Sequence, residues 1–159
     1  MLRDLYQNKK HILLDANLLV VLAIGRADSR LFGSNPVAHY TIHDYNLLVE
    51  EVETFQTIVT TPYILSEVNG HLNKTGYQRV KTREALRELA PQFSLKYKEP
   101  QYLYADNYYS DFGLTDVSIV YASDNEVLTL SADGNLIGIL VNSGVTALKF
   151  QDLKSWYNS

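Results

Sequence analysis

Four carboxylates share one kind of position, either just after an apolar strand-like run or on a helical run that adjoins one. They are Asp15, Glu67, Asp116 and Asp133. Asp15 directly follows the run 12–14, and Asp133 follows the run 127–130 after two small residues. Because sites in open parallel sheets form outside the carboxyl ends of the strands, we expect these side chains to lie near one another.

The other two carboxylates belong to helical runs. Asp116 opens the run 117–122, and Glu67 lies on the run that follows 57–60, where it borders the apolar face. Each of the four also has a purely structural interpretation. The three aspartates are suited to capping helices, and the glutamate is suited to a solvated helix surface. Capping alone does not explain why acids recur at these positions with no cation close by in sequence.

The chemistry of such a set is that of a hard metal ion. Four converging carboxylates repel one another, and some take up a proton unless a metal ion supplies positive charge. Oxygen ligands favour Mg²⁺ or Mn²⁺ over zinc. Since Mg²⁺ keeps several waters and binds a few carboxylates together with substrate phosphate, the set predicts metal-assisted cleavage of a phosphodiester.

The elements that must position these residues alternate between strand and helix. The predicted strands cover residues 12–14, 57–60, 127–130 and 145–150, and the predicted helices cover 17–24, 43–55, 62–72, 77–89, 117–122 and 135–142. Residues 26–38 are predicted to be a loop, and 92–110 have no assigned element. The alternation predicts an α/β fold with a parallel sheet and right-handed crossovers. We interpret the chain as one domain over residues 1–159.

Four segments resemble the PIN-domain family in their order and spacing: 12–17, 61–68, 114–119 and 128–136. The family pattern is a strand ending in Asp-x-Asn or Asp-x-Ser, a helix with a Ser-Glu pair, a helix start with Thr-Asp or Ser-Asp, and a late strand followed by Asp. The resemblance spans nearly the whole chain. It implies a three-layer PIN-like fold, with a central, mostly parallel sheet of four to five strands flanked by helices.

PIN domains are metal-dependent ribonucleases, and many are the VapC-type toxin of a toxin–antitoxin pair. The resemblance implies that Asp15, Glu67 and Asp116 hold Mg²⁺ or Mn²⁺, and that Asp133 completes the set or orients the attacking water. Asn17 and Thr115 would order the site by hydrogen bonds, although Asn17 also suits a helix start. Relative to compact toxins, the chain is longer through 26–38 and 97–109. A PIN-type nuclease outside the toxin group therefore stays open.

Three other functions are alternatives to a PIN-type nuclease. The Asp15-Ala16-Asn17 segment is also similar to haloacid-dehalogenase-type phosphohydrolases, which need a second Asp where this chain has Asn17. An integrin-type metal site would need serines at the positions of Asn17 and Leu19. A catalytically silent PIN-like interaction module is the third alternative, and it differs in needing no Mg²⁺ to act.

Charge is distributed unevenly along the chain, whose net charge is −4. Residues 74–98 contain seven cations and two anions, whereas 99–133 contain seven anions and no cation. The basic block suits an RNA backbone, and the tyrosines of 97–109 suit stacking on unpaired bases. The alternatives are two solvated faces, with tyrosines packed in the domain or at a homodimer interface. For a toxin, the acidic block predicts an antitoxin segment rich in Arg or Lys.

Composition excludes several other classes of site. The 159 residues include no cysteine, which excludes disulfide scaffolds, thiolate zinc sites and cysteine nucleophiles. The four histidines show no metal-ligand spacing and receive no role. The longest apolar stretch, 12–24, is interrupted by Asp15 and Asn17 and is too short to span a membrane. We expect a soluble, cytoplasmic protein with no membrane partner.

Overall fold

Five parallel strands form the centre of the structure, a computed structural model that describes residue 4 and residues 6–159. The strands are β1 (His11–Leu14), β2 (Thr57–Thr60), β3 (Phe93–Leu95), β4 (Val127–Ser131) and β5 (Ala147–Lys149). Their order across the sheet is β3-β2-β1-β4-β5, and every neighbouring pair is parallel. The predicted parallel sheet of four to five strands is confirmed.

Within the residues that the structure describes, eight α-helices connect and cover these strands. They are α1 (Ala16–Ala27), α2 (Ile42–Val52), α3 (Pro62–Leu72), α4 (Arg79–Leu89), α5 (Pro100–Tyr104), α6 (Tyr109–Ala122), α7 (Gly134–Asn142) and α8 (Phe150–Tyr157). Connections run outward from β1 through β2 to β3, and then cross to β4 and β5. Right-handed connections that run in opposite directions across a sheet place their helices on opposite faces. The fold therefore has the three layers that were predicted, with a central sheet between two layers of helices.

Several of the predicted elements differ from the structure in their bounds. The strand predicted over 145–150 is shorter, because Phe150 instead begins α8 with its ring buried in the core. The unassigned segment 92–110 contains the edge strand β3 and the short helix α5. The helix predicted over 117–122 begins earlier, at Tyr109, and is interrupted at Gly113, whose φ of 83° is not helical.

The core is built around β1 and α1. Residues Ile12, Leu13 and Leu14 of β1 are completely buried, and seven consecutive residues of α1, Leu18 to Ile24, are also buried. A helix that is apolar on all sides must be covered on all sides, and α1 contacts β1, α2, α3 and α4. None of the helices in the described part of the chain has the length and apolar character needed to cross a bilayer.

The strand order fixes where a site can form. From β1 the chain passes to β2 on one side, whereas β4 and β5 lie on the other side. The point at which the connections reverse direction leaves a crevice outside the carboxyl ends of the two neighbouring strands. In this sheet those strands are β1 and β4, so their last residues and the helix starts after them border the crevice.

The packing of α1 against α2 generates a stability prediction. A Cβ atom placed on Gly25 would lie 2.1 Å from the Cδ2 atom of the Tyr45 ring. We expect Gly25→Ala to lower the free energy of unfolding by about 1–3 kcal/mol, because the ring must move out of a packed position. Urea denaturation measures the change.

The matched control is Gly70→Ala, in α3, where nothing lies within 4 Å of an added Cβ. This substitution should be neutral or stabilising by up to about 1 kcal/mol, since alanine favours the helix. Equal effects of the two substitutions would contradict the described contact between α1 and α2.

Candidate active site

A cavity of about 340 Å³ lies at the carboxyl ends of β1 and β4. All six residues predicted from the sequence line it: Asp15, Asn17, Glu67, Thr115, Asp116 and Asp133. Two of them follow strands β1 and β4, and the others lie on α1, α3 and α6. Four separate stretches of the sequence (15–17, 67, 115–116 and 133) therefore meet at the carboxyl ends of the strands.

Asp15 is held by three hydrogen bonds. Its Oδ1 atom accepts from the backbone N–H of Leu18 at 3.0 Å, which caps α1. Its Oδ2 atom accepts from the Ser131 hydroxyl and from the backbone N–H of Ala132, the latter at 3.0 Å. Asp15 is only 7% exposed. The capping interpretation of Asp15 is therefore correct, and the same carboxylate also joins the end of β1 to the end of β4.

Ser131 is a site residue that the sequence analysis missed. Its hydroxyl donates to Asp15 and accepts from the backbone N–H of Asp133 at 3.0 Å. One oxygen of Asp133 in turn caps α7, accepting from Asn135 at 2.9 Å. The available signal was a small polar residue at the very end of a buried strand, one position before the loop that carries Asp133.

Glu67 and Asp116 reach the cavity from two helices. The helices meet where the Thr61 and Ser118 hydroxyls form a hydrogen bond of 2.9 Å. Neither carboxylate makes a hydrogen bond or ion pair with another residue in the described part of the chain. Asp116 lies three residues beyond the break at Gly113, in the first turn after the helix resumes. The capping interpretation of Asp116 therefore finds no capped N–H, unlike that of Asp15 and Asp133.

The two supporting residues differ in their surroundings. Asn17 is exposed on the first turn of α1, behind the capping Asp15, so it is not itself the helix start. Thr115 is half-buried on α6, and its backbone carbonyl accepts a hydrogen bond from Ser118 at 2.6 Å. Both leave their polar side chains available at the cavity wall.

Two of the carboxylates, Asp15 and Asp116, have raised pKa values. Burial raises the pKa of Asp15, an effect that its hydrogen bonds to Ser131 and the two backbone N–H groups partly offset. The pKa of Asp116 is raised to about 6, first by desolvation and then by the negative charges of Asp133, Glu67 and Asp15. All three other carboxylates are thus close enough to oppose ionisation of Asp116.

The carboxylates do not form a closed set of metal ligands. Among the described residues, no three His, Cys, Asp or Glu side chains are close enough to hold a metal ion between them. A metal ion in this cavity would have few protein ligands and would keep several waters, as Mg²⁺ characteristically does. Mutual repulsion of the four carboxylates adds a reason for a cation to bind there.

Comparison with known proteins adds no family to this description. No protein-family model, no curated protein and no solved structure matches the chain.

The raised pKa of Asp116 generates a prediction about stability without metal. The pKa is about 6 in the folded chain against 3.8 for an ordinary aspartate. The ionised form is therefore disfavoured in the folded state, so stability should fall as the pH rises from about 4 to about 6 and stay lower above it. Because Asp116 is half-exposed, solvent screening reduces the full effect, and we expect a loss of about 1 kcal/mol or less.

In EDTA at pH 7, Asp116→Asn should equal or exceed the native chain in stability, and the fall between pH 4 and pH 6 should be smaller. Thermal denaturation across that range measures both. Asp111→Asn, an exposed position on the same helix, serves as the matched control and should follow the native curve. A clearly lower midpoint for Asp116→Asn would show that this carboxylate stabilises the fold.

Proposed function

We propose that the chain is a metal-dependent endoribonuclease with a PIN-like architecture. The observation that carries the proposal is the lining of the cavity at the ends of β1 and β4, which contains four carboxylates and, among the described residues, no cation. Such a cavity repels an RNA phosphate unless a bound cation offsets the charge. The carboxylates and a phosphodiester substrate are therefore compatible once a divalent metal ion is bound between them.

The proposed roles follow the condition of each side chain. The three hydrogen bonds of Asp15 fix the orientation of its carboxylate. In that orientation it would bind the metal ion. Glu67 and Asp116 have unoccupied carboxylate oxygens that can turn toward the same ion. Asp133 uses one oxygen to cap α7 and has the other to complete the set or to orient a water. When bound, Mg²⁺ or Mn²⁺ supplies Lewis-acid polarisation of the phosphate and activation of water.

Asn17 and Thr115 contribute neutral donors to the same wall of the cavity. The amide and the hydroxyl can each donate a hydrogen bond to a phosphate oxygen. Neutral donors bind the substrate without competing with the metal ion for the carboxylates. We assign both residues to substrate positioning.

Exposed aromatic residues support single-stranded RNA as the substrate class. Tyr97, Tyr102 and Tyr121 are 55%, 57% and 46% exposed. The Lys98 ammonium lies 4.7 Å from the centre of the Tyr121 ring and 5.8 Å from that of Tyr102. Exposed rings beside a cation are typical of surfaces that stack unpaired bases and attract the backbone.

The basic block 74–98 supports the same substrate in part. Arg87 and Lys96 are paired with Glu84 and Asp124, so they have less positive charge to offer. Lys74, Arg79 and Lys81 are exposed and make no ion pair with any residue that the structure describes. These three residues provide sequence-independent attraction for an RNA backbone.

A toxin of a toxin–antitoxin pair is the biological role that we propose for this activity. Its support is the PIN resemblance together with a cavity that carries no cation of its own among the described residues. An antitoxin segment with Arg or Lys would neutralise that cavity and block the substrate. A PIN-type nuclease without an antitoxin is the alternative, and growth measurements separate the two.

The activity itself has a direct test. Cleavage of a labelled single-stranded RNA should disappear in EDTA, return with Mg²⁺ or Mn²⁺, and fall more than about 100-fold in Asp116→Asn, because removing a metal ligand removes most of the transition-state stabilisation. Asp111→Asn should cleave like the native chain. Cleavage that continues unchanged in EDTA, or in Asp116→Asn, would overturn the proposal.

The toxin role is tested by expression in a bacterial host. The native chain should arrest growth, and Asp116→Asn should not, since it keeps the fold and loses the metal ligand. Asp15→Ala is a poorer control, because losing its helix cap costs about 1 kcal/mol of stability. RNA cleavage in vitro without growth arrest at high expression would favour the non-toxin nuclease.

A further inference from the structure

A second cavity, of about 450 Å³, adjoins the acidic one. The two share Asn17, and Ala132, whose backbone N–H donates to Asp15, lies between them. Its principal polar and charged lining residues are Asn17, His39, Tyr40, Asp44, Lys149 and Lys154. Burial raises the pKa of Tyr40 to about 12, with smaller contributions from the negative charges of Asp15 and Asp44. Unlike the acidic cavity, the second one is lined by lysines.

One of the two lysines is neutralised within the fold. The Lys154 ammonium lies 2.8 Å from an oxygen of Asp44, a residue only 3% exposed. The other oxygen of Asp44 accepts from the backbone N–H of Thr41 at 2.9 Å. Asp44 therefore has a partner on each of its oxygens, and no ion pair joins it to the second lysine in the described part of the chain.

Lys149 is left with an uncompensated charge. It forms neither an ion pair nor a hydrogen bond with any other residue in the described part of the chain. It is the last residue of β5, and its register partner on β4 is Ser131. Its ammonium lies 3.5 Å from where a Cβ on Gly134 would be. The ammonium therefore lies near the start of α7, the helix that follows the cavity residue Asp133 in sequence.

We propose that this second cavity is a phosphate subsite in which Lys149 binds a backbone phosphate next to the scissile one. The inference rests on the proposed nuclease function and extends it to a second contact with the RNA. A chain that enters the acidic cavity brings neighbouring phosphates that the carboxylates repel. A free cation one strand away attracts such a phosphate and fixes the direction in which the RNA leaves the cavity.

The test measures RNA binding by fluorescence anisotropy of the native chain in Mn²⁺, with a labelled single-stranded oligoribonucleotide whose phosphorothioate linkages resist cleavage. Lys149→Met should weaken binding by about fivefold and reduce the slope of log K against log salt by about 0.7, the value for one phosphate contact on a single strand. Lys149→Arg should restore both. The matched control is Lys10→Met. Lys10 directly precedes β1, at the amino ends of the strands, and pairs with Glu126. Its substitution should change neither the affinity nor the salt slope.

An unchanged dissociation constant and slope in Lys149→Met would overturn the subsite, as would failure of the native chain to bind this RNA in Mn²⁺. If Lys149→Met leaves RNA binding intact but abolishes binding of a polyglutamate peptide, the cavity serves an acidic protein segment instead. Failure of the nuclease proposal gives a different result. In that case the native chain does not cleave RNA in Mg²⁺, whereas the binding loss in Lys149→Met and its rescue by arginine persist.

Discussion

The site depends above all on the hydrogen bonds of the Asp15 carboxylate. One oxygen caps α1, and the other accepts from Ser131 and Ala132 at the end of β4. These bonds join two adjacent strands and the most buried helix at the point where the sheet connections reverse direction. A carboxylate that is almost fully buried is costly unless it is hydrogen-bonded. The three donors offset much of that cost and fix the orientation of the Asp15 carboxylate.

The other three carboxylates differ in their hydrogen bonding. Asp133 is stabilised as a helix cap, whereas Glu67 and Asp116 make no hydrogen bond with any residue that the structure describes and face three other carboxylates. The pKa of Asp116 is raised because burial and the charges of the other carboxylates both oppose its ionisation. A fold that keeps such an arrangement loses stability in the absence of a cation, and functional sites commonly accept that loss.

Much of this arrangement could be predicted from sequence because the signals are local. The predicted strands 12–14, 57–60 and 127–130 are apolar runs bounded by polar residues. The acids that follow two of them, Asp15 and Asp133, identified the carboxyl ends of the strands as the place of the site. The edge strand β3 is only three residues long and partly exposed, so its sequence carries little strand pattern. Helix α8 begins directly after β5 without a turn residue, which hid the boundary at Phe150.

Other features depend on contacts between residues far apart in the chain. Ser131 bonds to Asp15 across 116 positions, and only the register of β1 against β4 reveals it. The break at Gly113 lies in a segment crowded with tyrosines, where aromatic spacing conceals the helical period. The sequence also does not reveal that Lys154, and not Lys149, pairs with Asp44 in the described part of the chain. Sequence predicted the acids, and tertiary structure determined their partners.

The most direct test of the central claim is a calorimetric titration of Mn²⁺ into the native chain, Glu67→Gln and Asp111→Asn. The account predicts saturable binding at pH 7.5 by the native chain and by Asp111→Asn, and binding at least about tenfold weaker in Glu67→Gln, because a coordinating carboxylate is lost. Binding should also weaken at pH 5, where a proton competes for Asp116, whose pKa is about 6. Absence of Mn²⁺ binding by the native chain, or equal binding by Glu67→Gln, would contradict the claim that these carboxylates form a metal site.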